Sequence, residues 1–297
     1  AGMREPSGHT LLLRHGGYAA EVVGVGAALR SLTRDGRDLL AGWPAGEICP
    51  DYRGWVLQPW PNRVGDGRYD FAGATHQLPL TEPERGNALH GLAGWTHWDV
   101  HHPDASRAVL RHQLVPRAGY PFALDLAVDY HLRDHGLDVT VAATNVGDRP
   151  APYGSGHHPY FTLDRPIEGL ELTLPASTWC AMDERQLPGP EQPVEGTPYD
   201  FREPRPIGDL VLDHPFGGLT GDTATLRDPA TGREATLRLG EGCQWLHVYT
   251  CDTVDPRRQA VAIEPTSCPP DAFRTGTDLV VLEPGETHRL AFTITGS

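Results

Sequence analysis

The sequence predicts an all-β fold, a large antiparallel β-sandwich, and three observations carry that expectation. Apolar and polar residues alternate at period two in several stretches, as in strands with one buried and one wetter face. Turn-forming residues separate those stretches, and many short strands between turns pack as a sandwich or barrel. The 297 residues include 34 glycines and 28 prolines, which carry helix penalties of roughly 1 and 3 kcal/mol each. No window of 12 or more residues shows a helical apolar stripe.

In chain order, the first expected hairpin joins Leu29–Thr33 to Leu39 and Leu40 across Asp35-Gly36. The second is the clearest. Leu124, Leu126, Val128, Tyr130 and Leu132 alternate with Asp125, Ala127, Asp129 and His131, and after Asp134-His135-Gly136 the pattern resumes at Leu137, Val139, Val141 and Ala143. A third pairs Thr223–Arg227 with Glu234–Leu239 around Asp228–Gly232. The last pairs Leu279–Leu282 with a strand through Leu290, Phe292 and Ile294, turning at Pro284-Gly285. The proline-rich stretch Pro188–Pro206 has the composition of a domain linker. It is read here as a surface loop crossing one large sandwich, because all-β domains often exceed 200 residues. A single domain over residues 1–297 is therefore expected.

Composition excludes several functions. There are 25 basic residues against 39 acidic ones, a formal net charge of −14, so a nucleic-acid partner is not expected. All 25 basic residues are arginine. Without a lysine amine, Schiff-base aldolase, pyridoxal-phosphate and P-loop chemistries are closed. No stretch approaches the ~20 apolar residues of a membrane span, and no charged-then-apolar signal segment is seen. Five scattered cysteines form no C-x-x-C pair, which fits a reducing compartment and no thiolate metal site. The expectation is a soluble cytoplasmic protein with no membrane partner.

Four segments gather polar, aromatic and titratable residues beside turn formers: Gln58–Arg63, Gly86–Gly91, Gly154–Phe161 and Ala262–Thr266. A histidine beside glycine or proline is ordinarily a loop residue or a satisfied core imidazole. A glutamate ending an apolar strand, as Glu264 does after Val261-Ala262-Ile263, needs more explanation, because a buried carboxylate costs several kcal/mol unless paired.

Together the segments are informative. Asn62-Arg63, Asn87-x-x-His90-Gly91, His158-x-Tyr160-Phe161 and Glu264-Pro265, in that order, resemble the aldose 1-epimerase (galactose mutarotase) family. Leu212-Asp213 with Phe216 and Leu219 fits the family's aspartate segment more loosely. The resemblance runs from about Trp55 to the C-terminus and implies a galactose mutarotase-like β-sandwich with an open sugar cleft. It implies no metal or organic cofactor, and a reaction that interconverts the α and β anomers of a hexose. By resemblance, Glu264 is the general base at the anomeric hydroxyl and His158 the general acid at the ring oxygen. His90 assists near that oxygen, Arg63 and Asp213 hold sugar hydroxyls, and Asn62 and Asn87 support the loops.

Elementary chemistry agrees, since ring opening needs one proton taken and one given a few Å apart. Burial should raise the Glu264 pKa, and the neighbouring carboxylate should raise that of His158. Trp60, or Trp43 or Trp55, could offer the sugar a flat apolar face. His157 stands where the family commonly has asparagine, so it competes with His158 for the acid role. Asp271 is read as loop-stabilising and Arg85 as a solvated loop arginine. His97, His101 and His102 lack an H-E-x-x-H context, so no metal site is expected there, and Gly24-Val-Gly26 lacks the third glycine of a dinucleotide loop. Two alternatives remain at this level. One is a mutarotase for an anionic hexose (a hexose 6-phosphate or sulfonated hexose), using Arg68 or Arg85. The other is a non-catalytic sugar-binding protein on the same fold.

Overall fold

A computed structural model describes residues 2–297. Two large sheets dominate it, and every strand pairing in both is antiparallel. The first has nine strands, in the order Asp99–Asp104, Arg107–Leu114, Leu124–Arg133, Gly136–Asn145, Thr287–Gly296, Glu234–Leu239, Thr223–Arg227, Glu171–Thr173 and Arg205–Pro206. The second has eight, running Pro188–Pro193, Ala176–Met182, Asp213–Leu219, Trp245–Tyr249, Val261–Thr266, Gly156–His157 and Val56–Leu57, with Tyr160–Phe161 also on Val261–Thr266. Four N-terminal strands from Thr10–His15 to Arg37–Asp38 form a third sheet. Among the described residues the α-helical content is one turn, Ala272–Thr275. The all-β expectation holds.

The alternation legible in the sequence decides which face meets the core. Val128, Val141, Leu237 and Phe292 from the nine-stranded sheet join Phe216, Leu246, Val248 and Ile263 from the eight-stranded sheet in one buried cluster. Because successive side chains point to opposite faces, His247 and Glu264 are turned to the other side of the second sheet. That outer face carries the site described below.

Two hairpins match the sequence reading closely. Leu132 pairs with Leu137 and Arg133 with Gly136, leaving a two-residue loop at Asp134-His135. Thr223–Arg227 pairs with Glu234–Leu239 in register. The N-terminal hairpin turns at Asp35 and Gly36, with φ of 51° and 77°, as a twist-compatible two-residue turn requires. Its return strand is Arg37–Asp38, so Leu39 and Leu40 lie just beyond it.

Two expectations need correction. Val280–Leu282 does not pair with the strand through Leu290; it pairs with Ala151–Tyr153 instead. The final strand, Thr287–Gly296, has Gly136–Asn145 on one side and Glu234–Leu239 on the other, so no edge is left for a hairpin partner. Pro188–Pro206 is also not loop throughout. It begins as the outermost strand of the second sheet and ends as the outermost strand of the first. Prolines are tolerated there because an outermost strand has unpaired N–H positions to give up.

Candidate active site

Three strands of the second sheet bring the predicted residues together. In the pairing of Trp245–Tyr249 with Val261–Thr266, His247 lies opposite Glu264, and Asp213 pairs with Tyr249 on the other side. Gly156 pairs with Thr266 and Tyr160 with Ala262, so the chain between them wraps the end of the glutamate strand. His158 is carried in that wrap, its amide donating to the Trp55 carbonyl (3.0 Å) and its carbonyl accepting from Gly54 (2.9 Å). The imidazole Nε2 of His158 lies 3.4 Å from Glu264 Oε1.

The other two motifs form a small ladder of their own. Arg63 pairs with Leu89 and Gly65 with Asn87, and the His90 amide donates to the Asn62 carbonyl (2.8 Å). Asn62 and His90 both have left-handed backbones, with φ of 58°. The Asn62 amide donates to His90 Nδ1 at 3.0 Å. A neutral His90 therefore carries its proton on Nε2. Its ring meets that of His158 edge-on at 5.1 Å, while His158 stacks on Tyr160 at 4.9 Å.

These groups line a cavity of about 300 Å³, together with Tyr52, Arg63, Glu82, Arg85, Gln186, Asp213, Tyr249 and Asp252. Glu264 is 2 % exposed. Burial, reinforced by the nearby Asp213 charge and only partly offset by Arg63, pushes its pKa well above the usual carboxylate range. Asp213 behaves oppositely. Burial works against its charge, but the His247 hydrogen bond (2.7 Å) and charge, with Arg63, hold its pKa below the ordinary value. His90 is driven well down by burial first and by the His158, Arg63 and His247 charges after it.

His158 departs from the sequence expectation. Burial, with a contribution from His247, lowers its pKa to about 3 instead of raising it. The physical reason is burial itself, which disfavours the charged imidazolium by more than the nearby Asp213 charge favours it.

Arg63 is 7 % exposed, and its Nε and Nη2 each donate to Glu82 at 2.8 Å. Glu82 also accepts from Arg85 (3.0 Å) and Asn87 (2.9 Å). Asn87 does not line the cavity; it is fully buried behind it and also donates to the Arg185 carbonyl. Asp271 accepts from the Gly65 amide (2.9 Å), the loop-stabilising contact expected of it. Arg85 reaches the cavity, whereas Arg68 lies outside it on an exposed hairpin position.

Trp60 does not reach the cavity. It is 2 % exposed and packs against Phe273 at 5.7 Å, while Trp43 and Trp55 belong to a separate buried cluster. The aromatic surface of the site comes from Tyr52, Tyr160 and Tyr249. His157 points the other way from His158, into the core, where its Nε2 meets the Tyr130 hydroxyl at 2.9 Å and its ring lies 5.2 Å from Phe292.

Sequence reasoning missed Glu82 and His247. The signal for His247 was present, a lone polar residue inside the apolar run Trp245–Tyr249. Glu82 sits in a turn among other acidic residues and nothing distinguishes it there.

His90, His158 and Glu264 each offer a ligand atom within 4.8 Å of the others, the one such grouping among the described residues. The donor set does not fit a metal. His90 Nδ1 already accepts from Asn62, so Nε2 bears the proton and neither nitrogen presents a free lone pair.

Comparison with known proteins agrees with this arrangement. The profile of the family described as Aldose 1-epimerase matches residues 9–295. An uncharacterized Escherichia coli protein, YihR, is 37% identical over 292 residues, covering 98% of this chain and 94% of the relative. Galactose mutarotase of Mus musculus is 29% identical over 210 residues, covering 67% of this chain and 59% of that protein. The crystal structure of a putative aldose 1-epimerase from Escherichia coli K12 superposes with a TM-score of 0.86 at 24% identity, covering 97% of this chain and 99% of the other. With the ordered motifs gathered around one cavity and the profile spanning nearly every residue, this chain belongs to the aldose 1-epimerase family and has its galactose mutarotase-like β-sandwich fold.

Proposed function

We propose that this protein is a mutarotase, interconverting the α and β anomers of a neutral hexose by ring opening, rotation and reclosure. The observation that carries the reading is the buried His158–Glu264 pair, 3.4 Å apart, with His90 beside it in one cavity. The reaction needs one proton on the pair, and two forms have it: carboxylic acid beside neutral imidazole, or carboxylate beside imidazolium. They differ only in which side of the gap holds the proton.

The second form reacts. Glu264 takes the proton of the anomeric hydroxyl, and His158 gives its proton to the ring oxygen as the bond from that oxygen to the anomeric carbon breaks. The open aldehyde rotates about the adjacent carbon–carbon bond. Reclosure on its other face reverses both transfers and returns the pair to its starting state. His90, neutral and with its proton on Nε2, is suited to donate a hydrogen bond to an oxygen that becomes more negative as the ring opens. Arg63 and Asp213 hold ring hydroxyls; Glu82 fixes the Arg63 fork in place.

The lining favours a neutral substrate over the anionic alternative. Besides Glu264, five acidic residues face the cavity (Asp51, Glu82, Glu84, Asp213 and Asp252) against two arginines, Arg63 and Arg85, and Glu82 engages both arginines. The test is polarimetry or NMR of freshly dissolved α-D-glucose, α-D-galactose and a hexose 6-phosphate, with and without catalytic protein. Faster approach to an unchanged equilibrium with a neutral hexose supports the reading. Binding without acceleration of any of them would favour a non-catalytic sugar-binding protein.

A further inference from the structure

The turn Asp183–Leu187, which joins Ala176–Met182 to the outermost strand Pro188–Pro193 of the second sheet, reaches the cavity from the far side. It is tightly built. Asp183 accepts from the amides of Arg185 (2.8 Å) and Leu187 (3.0 Å), and the Gln186 amide donates to the Asp183 carbonyl (3.0 Å). Arg185 then fastens the turn to the segment that carries Glu82, Arg85 and Asn87. Its Nε donates to the Arg85 carbonyl (2.9 Å), and its Nη2 to the Gly86 carbonyl (3.0 Å) and to Asp66 (2.8 Å). Asn87 answers by donating to the Arg185 carbonyl (2.8 Å).

This clasp holds Gln186 in the cavity wall with a left-handed backbone, φ 57°. A non-glycine residue held there is strained, and such strain is kept where surrounding contacts impose it. The Gln186 side-chain oxygen is buried and accepts no hydrogen bond from the described residues. With the oxygen turned inward, the Nε2 end of the carboxamide is the end left to meet a sugar hydroxyl in the cavity.

We propose that Gln186 is a substrate-binding residue that selects one ring hydroxyl of the sugar, and that Arg185 is the positioning residue that holds it there. The inference rests on the mutarotase reading for its substrate class, and it adds a wall of the site that the four sequence motifs do not contain. Gln186 donates from Nε2 to the hydroxyl oxygen, while Arg185 acts only through the placement of the turn.

The test compares wild type, Gln186→Leu and Arg185→Met on the preferred hexose and on its 2-, 3-, 4- and 6-deoxy analogues. With wild type, one analogue should lose about tenfold in kcat/KM, the size of one hydrogen bond. Gln186→Leu should lose a similar factor on the parent hexose, mainly in KM, and show no further loss on that one analogue. Arg185→Met should follow the same pattern with its melting temperature recorded alongside. A Gln186→Leu enzyme with unchanged KM, or with full discrimination against every analogue, would overturn the inference. If wild type accelerates no aldose, the mutarotase reading fails by itself, and the same comparison is made on sugar dissociation constants by calorimetry. There, equal affinities of wild type and Gln186→Leu would sink the Gln186 proposal independently.

Discussion

Glu264 and His158 are the residues on which the proposed chemistry turns. Glu264→Gln keeps shape and burial but cannot take a proton, so catalysed mutarotation should fall by ~10²–10⁴-fold. Sugar affinity by calorimetry should stay within a few-fold. The pH dependence follows from the one-proton pair. Activity is lost on the acid side when His158, lowered to about 3, takes a second proton. It is lost on the alkaline side when the pair gives up its only proton, for which the raised Glu264 pKa sets the limit. Above about pH 5 kcat/KM should stay flat until the alkaline limb is reached; a steep rise beginning near neutrality would contradict the shared proton. His157 supplies a different prediction. It is buried and neutral, its pKa lowered to about 3 by burial, against roughly 6.5 in an unfolded chain. Over that window the unfolded state binds more protons, so its contribution lowers stability as pH falls, by about 1.4 kcal/mol per unit. Urea denaturation at several pH values should find that slope reduced in His157→Gln, with the mutarotation rate at neutral pH little changed. In the sequence these two histidines could be distinguished only by their spacing to Tyr160-Phe161. The extended backbone separates them, because His157 ends a strand facing the core and the next side chain, that of His158, turns to the opposite side.

At the scale of elements, the site depends on short irregular connections more than on the long strands. Gly91 is the sharpest case. It has φ 76°, and a Cβ there would lie 2.0 Å from the Gln58 carbonyl oxygen. Gly91→Ala should therefore destabilise the fold by more than ~1 kcal/mol, measured as a lowered urea midpoint. Because His90 precedes it, the surviving folded enzyme should also turn over more slowly. The strands that alternate cleanly, Leu124–Arg133 with Gly136–Asn145 and Thr223–Arg227 with Glu234–Leu239, were legible because one face of each meets the core. Val280–Leu282 was not. Its hydrophobic residues are the same whichever partner it takes, and the choice of Ala151–Tyr153 is made by the two strands already flanking Thr287–Gly296. The same limit explains Trp60: the residue type fits either a sugar platform or a core, and only packing against Phe273 decides.

The whole molecule adds a field to these local arrangements. A net charge of −14 surrounds a cavity whose charged lining residues are mostly acidic. For a neutral hexose this field exerts no steering, so kcat/KM should change little between low and moderate salt. For an anionic hexose, repulsion should weaken as salt screens it over a Debye length of ~10 Å at 0.1 M. Turnover of a hexose 6-phosphate should then be poor and should improve with added salt. Loss of affinity with salt would instead indicate an attractive site for the anion. Composition made the overall charge plain, but it could not show that Glu82 would occupy both cavity arginines, since that depends on how two turns meet.

The placement of proline at the margins of the sheets has a consequence for the protein in a crowded solution. Pro188, Pro190 and Pro193 lie in one outermost strand, Pro206 in another, and Pro103 in a third, where the pairing is irregular. The fourth margin, Val56–Leu57, is two residues long and runs directly into Gln58-Pro59. A foreign strand needs an uninterrupted row of free amide donors to dock and extend a sheet, and each of these margins withholds it. The margins of the two broad sheets are thereby poor templates for a strand from another copy.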